Sequence, residues 1–571
     1  MKLSDKVAAI YDRIDSEGLR PVWISVVPPD EALSRARTLE SSEAVQKLPL
    51  YGQTFAVKDN IDVAAMETTA GCPAFAFEAE TTATAVQRLL AAGAILIGKT
   101  NMDQFATGLV GVRSPYGACS SVYDPAYISG GSSSGSAVAV AQGLVSFSLG
   151  TDTAGSGRVP AAFNNMIGLK PTRGLVSTAG VVPACRTLDC VSIFAKSPGE
   201  AGKVWQAAKG FDATDPYSRV PGDGADATPW VSGETFRFGC PPPEQLEFFG
   251  DHEARRLFEA AVERMHFLGG EVVYIDYTPF RAVAELLYSG PWVSERLAAI
   301  EPFLRKHGDA MHPVVRSIIA GGDKHSAVDT FRAQYRLEEL RRLCDREWAH
   351  IDVMLLPTTG TTYTIAQVEA DPVQLNTNLG YYTNFVNLLD LAAVAVPAGF
   401  RPSGLPFGVS LIGKAFSDEG LLRLAARYTD GSRGEAKVAP GCVEVAVVGA
   451  HLTGQPLNRE LTSRGARLVR TTKTAPGYRL FALQNTTPPK PGLVRESGFA
   501  GQGIEVEIWS VPVDEFGSFV AGVPAPLGIG TAQLQDGSQV KCFICEPYSV
   551  AGSKEITEFG GWRKYLGSLA R

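Results

Sequence analysis

Histidine is scarce in this chain. There are 7 in 571 residues, and none precedes His252. A hydrolytic serine needs a base to take its proton, and histidine is the usual one, so serine chemistry in the first part of the chain has to use another. Long apolar runs are missing too: no stretch reaches the roughly 18 uninterrupted apolar residues that a membrane-spanning helix needs. The best candidate, 388–400, is broken by Asp390 and Pro397. The opening residues, Met1-Lys2-Leu3-Ser4-Asp5-Lys6, are charged and lack an apolar centre, so no secretory signal is expected. Positive charge is not in excess. A net charge of -7 argues against nucleic acid as the main partner, because phosphate binding needs a basic surface. The cysteines are 9, an odd number scattered over a long chain, which fits reduced thiols and a cytoplasmic protein rather than a disulfide framework. Cys542-Phe543-Ile544-Cys545 has no second such pair and no clustered histidines to complete a tetrahedral metal site. It reads as an alternating strand, and no metal is expected.

What the chain does have is serine and glycine in a particular arrangement. Ser129-Gly130-Gly131-Ser132-Ser133-Ser134-Gly135-Ser136 is followed by Gly150-Thr151-Asp152-Thr153-Ala154-Gly155-Ser156-Gly157-Arg158. Glycines on both sides of Ser156 let backbone amides approach a substrate carbonyl. The polar residue best placed to replace the missing histidine is Lys58, in Phe55-Ala56-Val57-Lys58-Asp59-Asn60. A lysine can serve as a base once burial lowers its pKa. Gly93-Ala94-Ile95-Leu96-Ile97-Gly98-Lys99-Thr100 formally matches a phosphate loop. The space between its glycines is filled by a strand-like apolar run rather than exposed amides, so the nucleotide-binding reading is rejected.

Apolar spacing predicts a helix and then a strand over 82–97, a buried helix and then a strand over 136–149, and strands at 236–240 and 271–275 around a helix at 252–268. An amphipathic helix is expected over 327–348, with interior strands at 353–357 and 393–396. Helices and strands alternate, which predicts an α/β class with a mixed, mostly parallel central sheet covered by helices. Residues 431–441 read as a linker rich in small and polar residues. Beyond it the alternation of 443–448 and 503–511 predicts a smaller α+β domain. The expected division is therefore 1–430, linker 431–441, and 442–571.

Six ordered segments resemble the amidase signature family: Lys58-Asp59-Asn60, Gly98 to Asp103, Gly130 to Ser133, Gly150 to Thr153, Ser156 to Ala161, and Gly168 to Thr172. The resemblance covers roughly 45–430. It implies Ser156 as nucleophile, Ser132 as a bridging serine held through a cis peptide, Lys58 as base, and Thr153, Ala154 and Gly155 as the oxyanion-hole backbone. Ser134 and Ala154 stand where many members have glycine; both are small, and neither alters the triad. No organic cofactor is implied. The segment from Tyr288 to Arg296, the surroundings of Ser156, and Val447 to Asn458 resemble the allophanate hydrolases within that family. This second resemblance implies that Tyr288 and Arg296 hold a substrate carboxylate, for which a planar guanidinium is suited. It also implies a C-terminal domain similar to the γ-glutamyl cyclotransferase-like fold, where His451 is a candidate site residue. The expected activity is allophanate hydrolysis in urea degradation by a homodimer. The chain has no biotin-attachment Ala-Met-Lys-Met segment, so the biotin-dependent urea carboxylase is expected as a separate partner. The alternatives are a general or glutaminase-type amidase, and a binding protein on an inactive amidase fold, which intact Ser156, Ser132 and Lys58 oppose.

Overall fold

The computed structural model describes residues 2–19, 21–41, 43–222, 235–430, 442–535 and 537–569. The chain divides into two compact units, Met1–His266 with Gly270–Thr429, and Phe267–Gly269 with Asp430–Arg571. The expected linker, 431–441, lies outside the described residues.

The first unit is built on an 11-stranded sheet. In chain order its strands are β1 (Trp23–Val26), β2 (Thr54–Lys58), β3 (Ile95–Thr100), β4 (Phe147–Asp152), β5 (Ile167–Lys170), β6 (Cys190–Ala195), β7 (Phe236–Cys240), β8 (Gly270–Tyr274), β9 (Val353–Pro357), β10 (Ala392–Phe400) and β11 (Pro406–Gly413). Their order in space is β1-β3-β2-β4-β6-β5-β10-β11-β9-β7-β8. The parallel pairs are β2 with β3 and β4, and β7 with β8 and β9. All other neighbours run antiparallel. The sheet is mixed as expected, but it is not mostly parallel. A parallel pair needs a crossover, usually a helix, whereas short connections give antiparallel neighbours. Here β10 turns directly into β11, with the Arg401 amide donating to the Leu405 carbonyl at 2.8 Å. No helix lies between β5 and β6.

Strands β2, β3, β4, β6 and β9 are buried along their whole length, as strands covered on both faces must be. The expected elements are present: helices Thr84–Ala91, Ser134–Ala141, His252–Phe267 and Ala327–Trp348. Helix Ser134–Ala141 carries small and apolar residues all round and is buried accordingly. Helix Ala327–Trp348 opens on a reciprocal cap between Ser326 and Asp329. The segment that mimics a phosphate loop is largely β3, with Lys99 buried 3.4 Å from Asp59.

Register positions the site. β2 and β4 pair with Phe55 beside Phe147, and these rings stack at 5.2 Å, an aromatic pair worth about 0.5–1.5 kcal/mol beyond its buried area. Three residues on, this alignment carries Lys58 to the level of Gly150, next to Thr151, whose Oγ1 its Nζ reaches at 2.7 Å.

The second unit contains a five-stranded sheet that includes Cys442–Val447, Glu505–Pro512 and Gln539–Cys545, and a separate three-stranded sheet. Its core gathers Val445, Val447, Ile508, Leu480 and Trp562. Cys542 and Cys545 are free thiols on strand Gln539–Cys545.

Candidate active site

Lys58 ends β2 and is fully buried. Its Nζ lies 2.7 Å from Ser132 Oγ and 2.7 Å from Thr151 Oγ1. Burial lowers its pKa to about 7, opposed by the charges of Asp103, Asp189 and Asp152 and assisted by that of Arg296.

Ser132 sits at the entry to helix Ser134–Ala141, and the Gly131–Ser132 peptide is cis. The loop is held from below by Asp103. That carboxylate accepts the amides of Val110, Gly111 and Arg113 at 3.2, 3.0 and 2.9 Å, and the Asp103 amide donates to the Ser132 carbonyl at 3.1 Å. A Cβ on Gly131 would lie 2.2 Å from Asp103 Oδ2, so only glycine fits. Ser133 Oγ donates to the Thr151 carbonyl at 3.1 Å, fastening the loop to β4.

Ser156 follows β4 on a tight turn and is 2 % exposed. Asp152 and Arg158 form a buried pair across the base of this turn, with Arg158 Nε and Nη2 each 2.9 Å from a carboxylate oxygen. Asp152 also accepts the amides of Gly155 and Gly157 at 2.9 and 3.0 Å. The expected oxyanion set is narrowed by this bond: the Gly155 amide is already spent on Asp152, whereas no hydrogen bond is drawn from the Thr153 and Ala154 amides among the described residues. Thr383 Oγ1 donates to the Ala154 carbonyl at 2.6 Å. The same side chain occupies the space that a Cβ on Gly155 would need, 2.5 Å away. The structure thus brings Lys58 and Ser132 into hydrogen-bond contact. Among the described residues it draws no hydrogen bond between Ser132 Oγ and Ser156 Oγ.

Tyr288 lies in the last turn of helix Thr278–Ser289, and Arg296 in the second turn of helix Trp292–His307. Gly290 and Pro291 separate the helices. The Arg296 guanidinium is buried, 5.3 Å from the centre of the Tyr288 ring, with Nη2 3.4 Å from the Tyr288 hydroxyl. Nη1 donates to Thr107 Oγ1 at 3.1 Å and to the Ala106 carbonyl at 3.3 Å, and Nε has no partner. No carboxylate lies within ion-pair distance of this cation among the described residues.

Sequence reasoning missed Thr151, Asp103, Asp152 and Asp189 as parts of the site. Three of them stand inside segments already singled out by their glycines, serines and lysines. Asp189 lies in none, and only the pairing of β6 with β4 delivers it.

In the second unit, His451 stacks on Phe543 at 4.9 Å, meets the edge of Phe519, and has Nε2 3.0 Å from Glu460 Oε2. Burial lowers its pKa below the usual imidazole value, with Glu460 opposing. It lines a cavity of about 230 Å³ together with Glu460, Thr487 and Lys490. Among the described residues no group of His, Cys, Asp and Glu side chains is arranged to hold a metal ion, and no helix is long and apolar enough to cross a membrane.

A large mixed sheet with a buried lysine at one strand end, hydrogen-bonded to a serine of a glycine-rich loop, fits an amidase: the chain matches the Amidase family over residues 5–422 and belongs to it. Residues 443–567 match the allophanate hydrolase C-terminal domain, so the chain joins the two. Urea amidolyase of Saccharomyces cerevisiae is 44 % identical over 98 % of this chain and 32 % of that protein. The structure of Kluyveromyces lactis allophanate hydrolase is 40 % identical, with a TM-score of 0.72, and the match covers 100 % of this chain and 97 % of that one. A glutamyl-tRNA(Gln) amidotransferase subunit of Symbiobacterium thermophilum is 34 % identical over 70 % of this chain and 88 % of its own. The chain spans about a third of the length of the urea amidolyases it matches.

Proposed function

We propose that this chain is an amide hydrolase acting on allophanate, the urea that carries a carboxylate on one nitrogen. The observation that carries the substrate is Arg296, a buried guanidinium with an unpartnered Nε and, among the described residues, no carboxylate within ion-pair distance, close enough to Lys58 for its charge to depress that amine's pKa. A buried cation of this kind is costly unless an anion joins it. A carboxylated substrate supplies that anion, with Tyr288 as the second contact.

Ser156 is the nucleophile, Ser132 the relay and Lys58 the base. A neutral amine has one lone pair and two N–H bonds, so Lys58 can donate to Thr151 Oγ1 while accepting from Ser132 Oγ. Ser132 in turn accepts the proton of Ser156 as Oγ attacks the terminal amide carbonyl. The carbonyl oxygen gains charge against the amides of Thr153 and Ala154. The proton returns to the leaving nitrogen, ammonia departs, and a serine-bound acyl group remains. Water, activated by the same relay, cleaves it to N-carboxycarbamate. Decarboxylation of that product brings the total to two ammonia and two carbon dioxide.

The same reading divides the chain into an amidase domain at 1–430, a linker at 431–441 and a C-terminal domain at 442–571, with His451 a candidate for the later step. It makes the protein a cytoplasmic homodimer whose substrate comes from a biotin-dependent urea carboxylase. The full-length similarity to an allophanate hydrolase supports it. Ammonia release on a panel of allophanate, malonamate, glutamine and simple amides tests it. Activity concentrated on allophanate and malonamate, whose carboxylate lies one atom from the amide carbonyl, is expected; preference for glutamine would make the chain a glutaminase-type amidase instead.

A further inference from the structure

β4 and β6 pair antiparallel with Asp152 opposite Cys190. The next residues outward, Thr153 and Asp189, therefore face each other, and Thr153 Oγ1 donates to Asp189 Oδ1 at 2.5 Å. The amide of Ala184 donates to Oδ2 at 2.8 Å and that of Cys185 to Oδ1 at 3.2 Å. The carboxylate is 4 % exposed, and no cation forms an ion pair with it among the described residues. A buried carboxylate without a cation is expensive to keep, and here it is kept against the turn that carries Ser156.

The loop 184–189 reaches further. The Thr187 amide and hydroxyl donate to the two oxygens of Glu295 at 2.7 and 2.8 Å. Glu295 precedes Arg296 on the same helix, and Cys185 Sγ lies 3.5 Å from the Trp292 carbonyl of that helix. On the other side, Asn387 Nδ2 donates to the Asp152 and Leu188 carbonyls at 2.8 and 3.0 Å, tying the residues just before Thr153 and Asp189. One loop thus fastens the nucleophile turn at one end and the helix of Arg296 at the other.

Building on the reading of this site given above, we propose that Asp189 is a positioning residue for the acyl transfer: through the Thr153 hydroxyl it fixes the turn whose amides face the oxyanion, and through its loop it holds that turn in step with Arg296. A displacement of about 1 Å at such a turn costs on the order of 100-fold in rate. Asp189 also acts on the base by its charge. Asp103, Asp152 and Asp189 all favour the ammonium form of Lys58, and Arg296 opposes them. Around Asp189 itself the influences are its three hydrogen-bond donors and Arg296, and burial pushes its carboxyl up to about 6. Glu295 adds negative charge on the Arg296 side, while burial pushes the Cys185 thiol up and keeps it neutral. Removing the Asp189 charge makes Lys58 easier to deprotonate, so the acid limb of kcat/KM moves to lower pH.

The test is steady-state ammonia release from allophanate by the full chain, across the pH range in which Lys58 titrates, for Thr153→Val, Thr153→Ser, Asp189→Asn and Ser156→Ala. Thr153→Val is expected to lower kcat by about 10- to 100-fold with KM changed by less than about threefold, and to leave the acid limb in place. Thr153→Ser, which restores the hydroxyl, should recover most of the loss. Asp189→Asn should lower kcat and shift the limb downward. Wild-type kcat in Thr153→Val, a loss confined to KM, or an unmoved limb in Asp189→Asn would overturn the inference. If Asp189→Asn does not fold, as a thermal melt would reveal, the contrast between Thr153→Val and Thr153→Ser decides alone, and equal losses in the two count against it. Ser156→Ala separates the two levels: residual activity there sinks the reading of the site itself, whereas an inactive Ser156→Ala beside unimpaired Thr153 and Asp189 variants sinks only the positioning role.

Discussion

A lysine serves as a base only in its neutral form, and an ordinary lysine at pH 7 is almost entirely charged. Complete burial brings Lys58 to about 7 even though three carboxylates surround it. The sign follows directly. Below about 7 the ammonium form dominates and kcat/KM should rise about tenfold per pH unit; above it the rate should level off, as for a single essential base. Lys58→Ala should cost several orders of magnitude across the whole range, and a near-normal rate at neutral pH would remove Lys58 from the role. Arg296→Ala gives a different signature. It should hurt allophanate by about 2–5 kcal/mol, the cost of losing a charge-assisted bond in a desolvated site, and an uncharged amide far less. Equal losses on both, measured as kcat/KM, would make the pair with Tyr288 merely structural. The proposed catalytic residues can be named from the sequence because the absence of histidine before His252 leaves Lys58 as the available base and glycines flank Ser156. One contact of Gly155 is not visible in the sequence. Glycines beside Ser156 let backbone amides come close to a substrate, but which partner each amide takes is set by the folded turn, which gives the Gly155 amide to Asp152.

At the scale of elements, the turn that carries Ser156 depends on the Asp152–Arg158 pair at its base. Both side chains are fully buried, and Arg158 also donates to the Thr383 carbonyl and to Asn387. Arg158→Ala leaves a buried carboxylate unpaired and should destabilise the first unit by about 3–5 kcal/mol, read as a lower urea midpoint, with activity lost in the remaining folded fraction. An unchanged midpoint would show that Asp152 holds the turn through its amide donors alone. Helix positions were readable from apolar spacing because that signal is local. Strand direction was not, because it depends on which connections cross the sheet. The alternation of helices and strands around β7 and β8 does give parallel pairs, but β5 is joined to β6, and β10 to β11, without a crossover helix, and both pairs run antiparallel. Asp189 went unread for a related reason: it meets Thr153 through the register of β4 against β6, and register is a property of the folded sheet.

For the whole molecule, the amidase match ends at residue 422 and the second match begins at 443, so the proposed linker falls between two separately built parts. A chain cut at Glu435 should still release the first ammonia from allophanate. Its N-carboxycarbamate should persist longer than with the full chain if the cavity around His451 serves the later step, and carbon-13 NMR of the reaction follows that lifetime. An unchanged lifetime would leave His451 a buried imidazole held by Glu460 and Phe543. The central claim is that Ser156, relayed through Ser132 to Lys58, hydrolyses the amide of allophanate. It is tested most directly by ammonia release from allophanate with wild-type protein and Ser156→Ala side by side, both shown to be folded. The account predicts release by the wild type and none above background from the variant; a variant that retains more than a few per cent of the wild-type rate would contradict it.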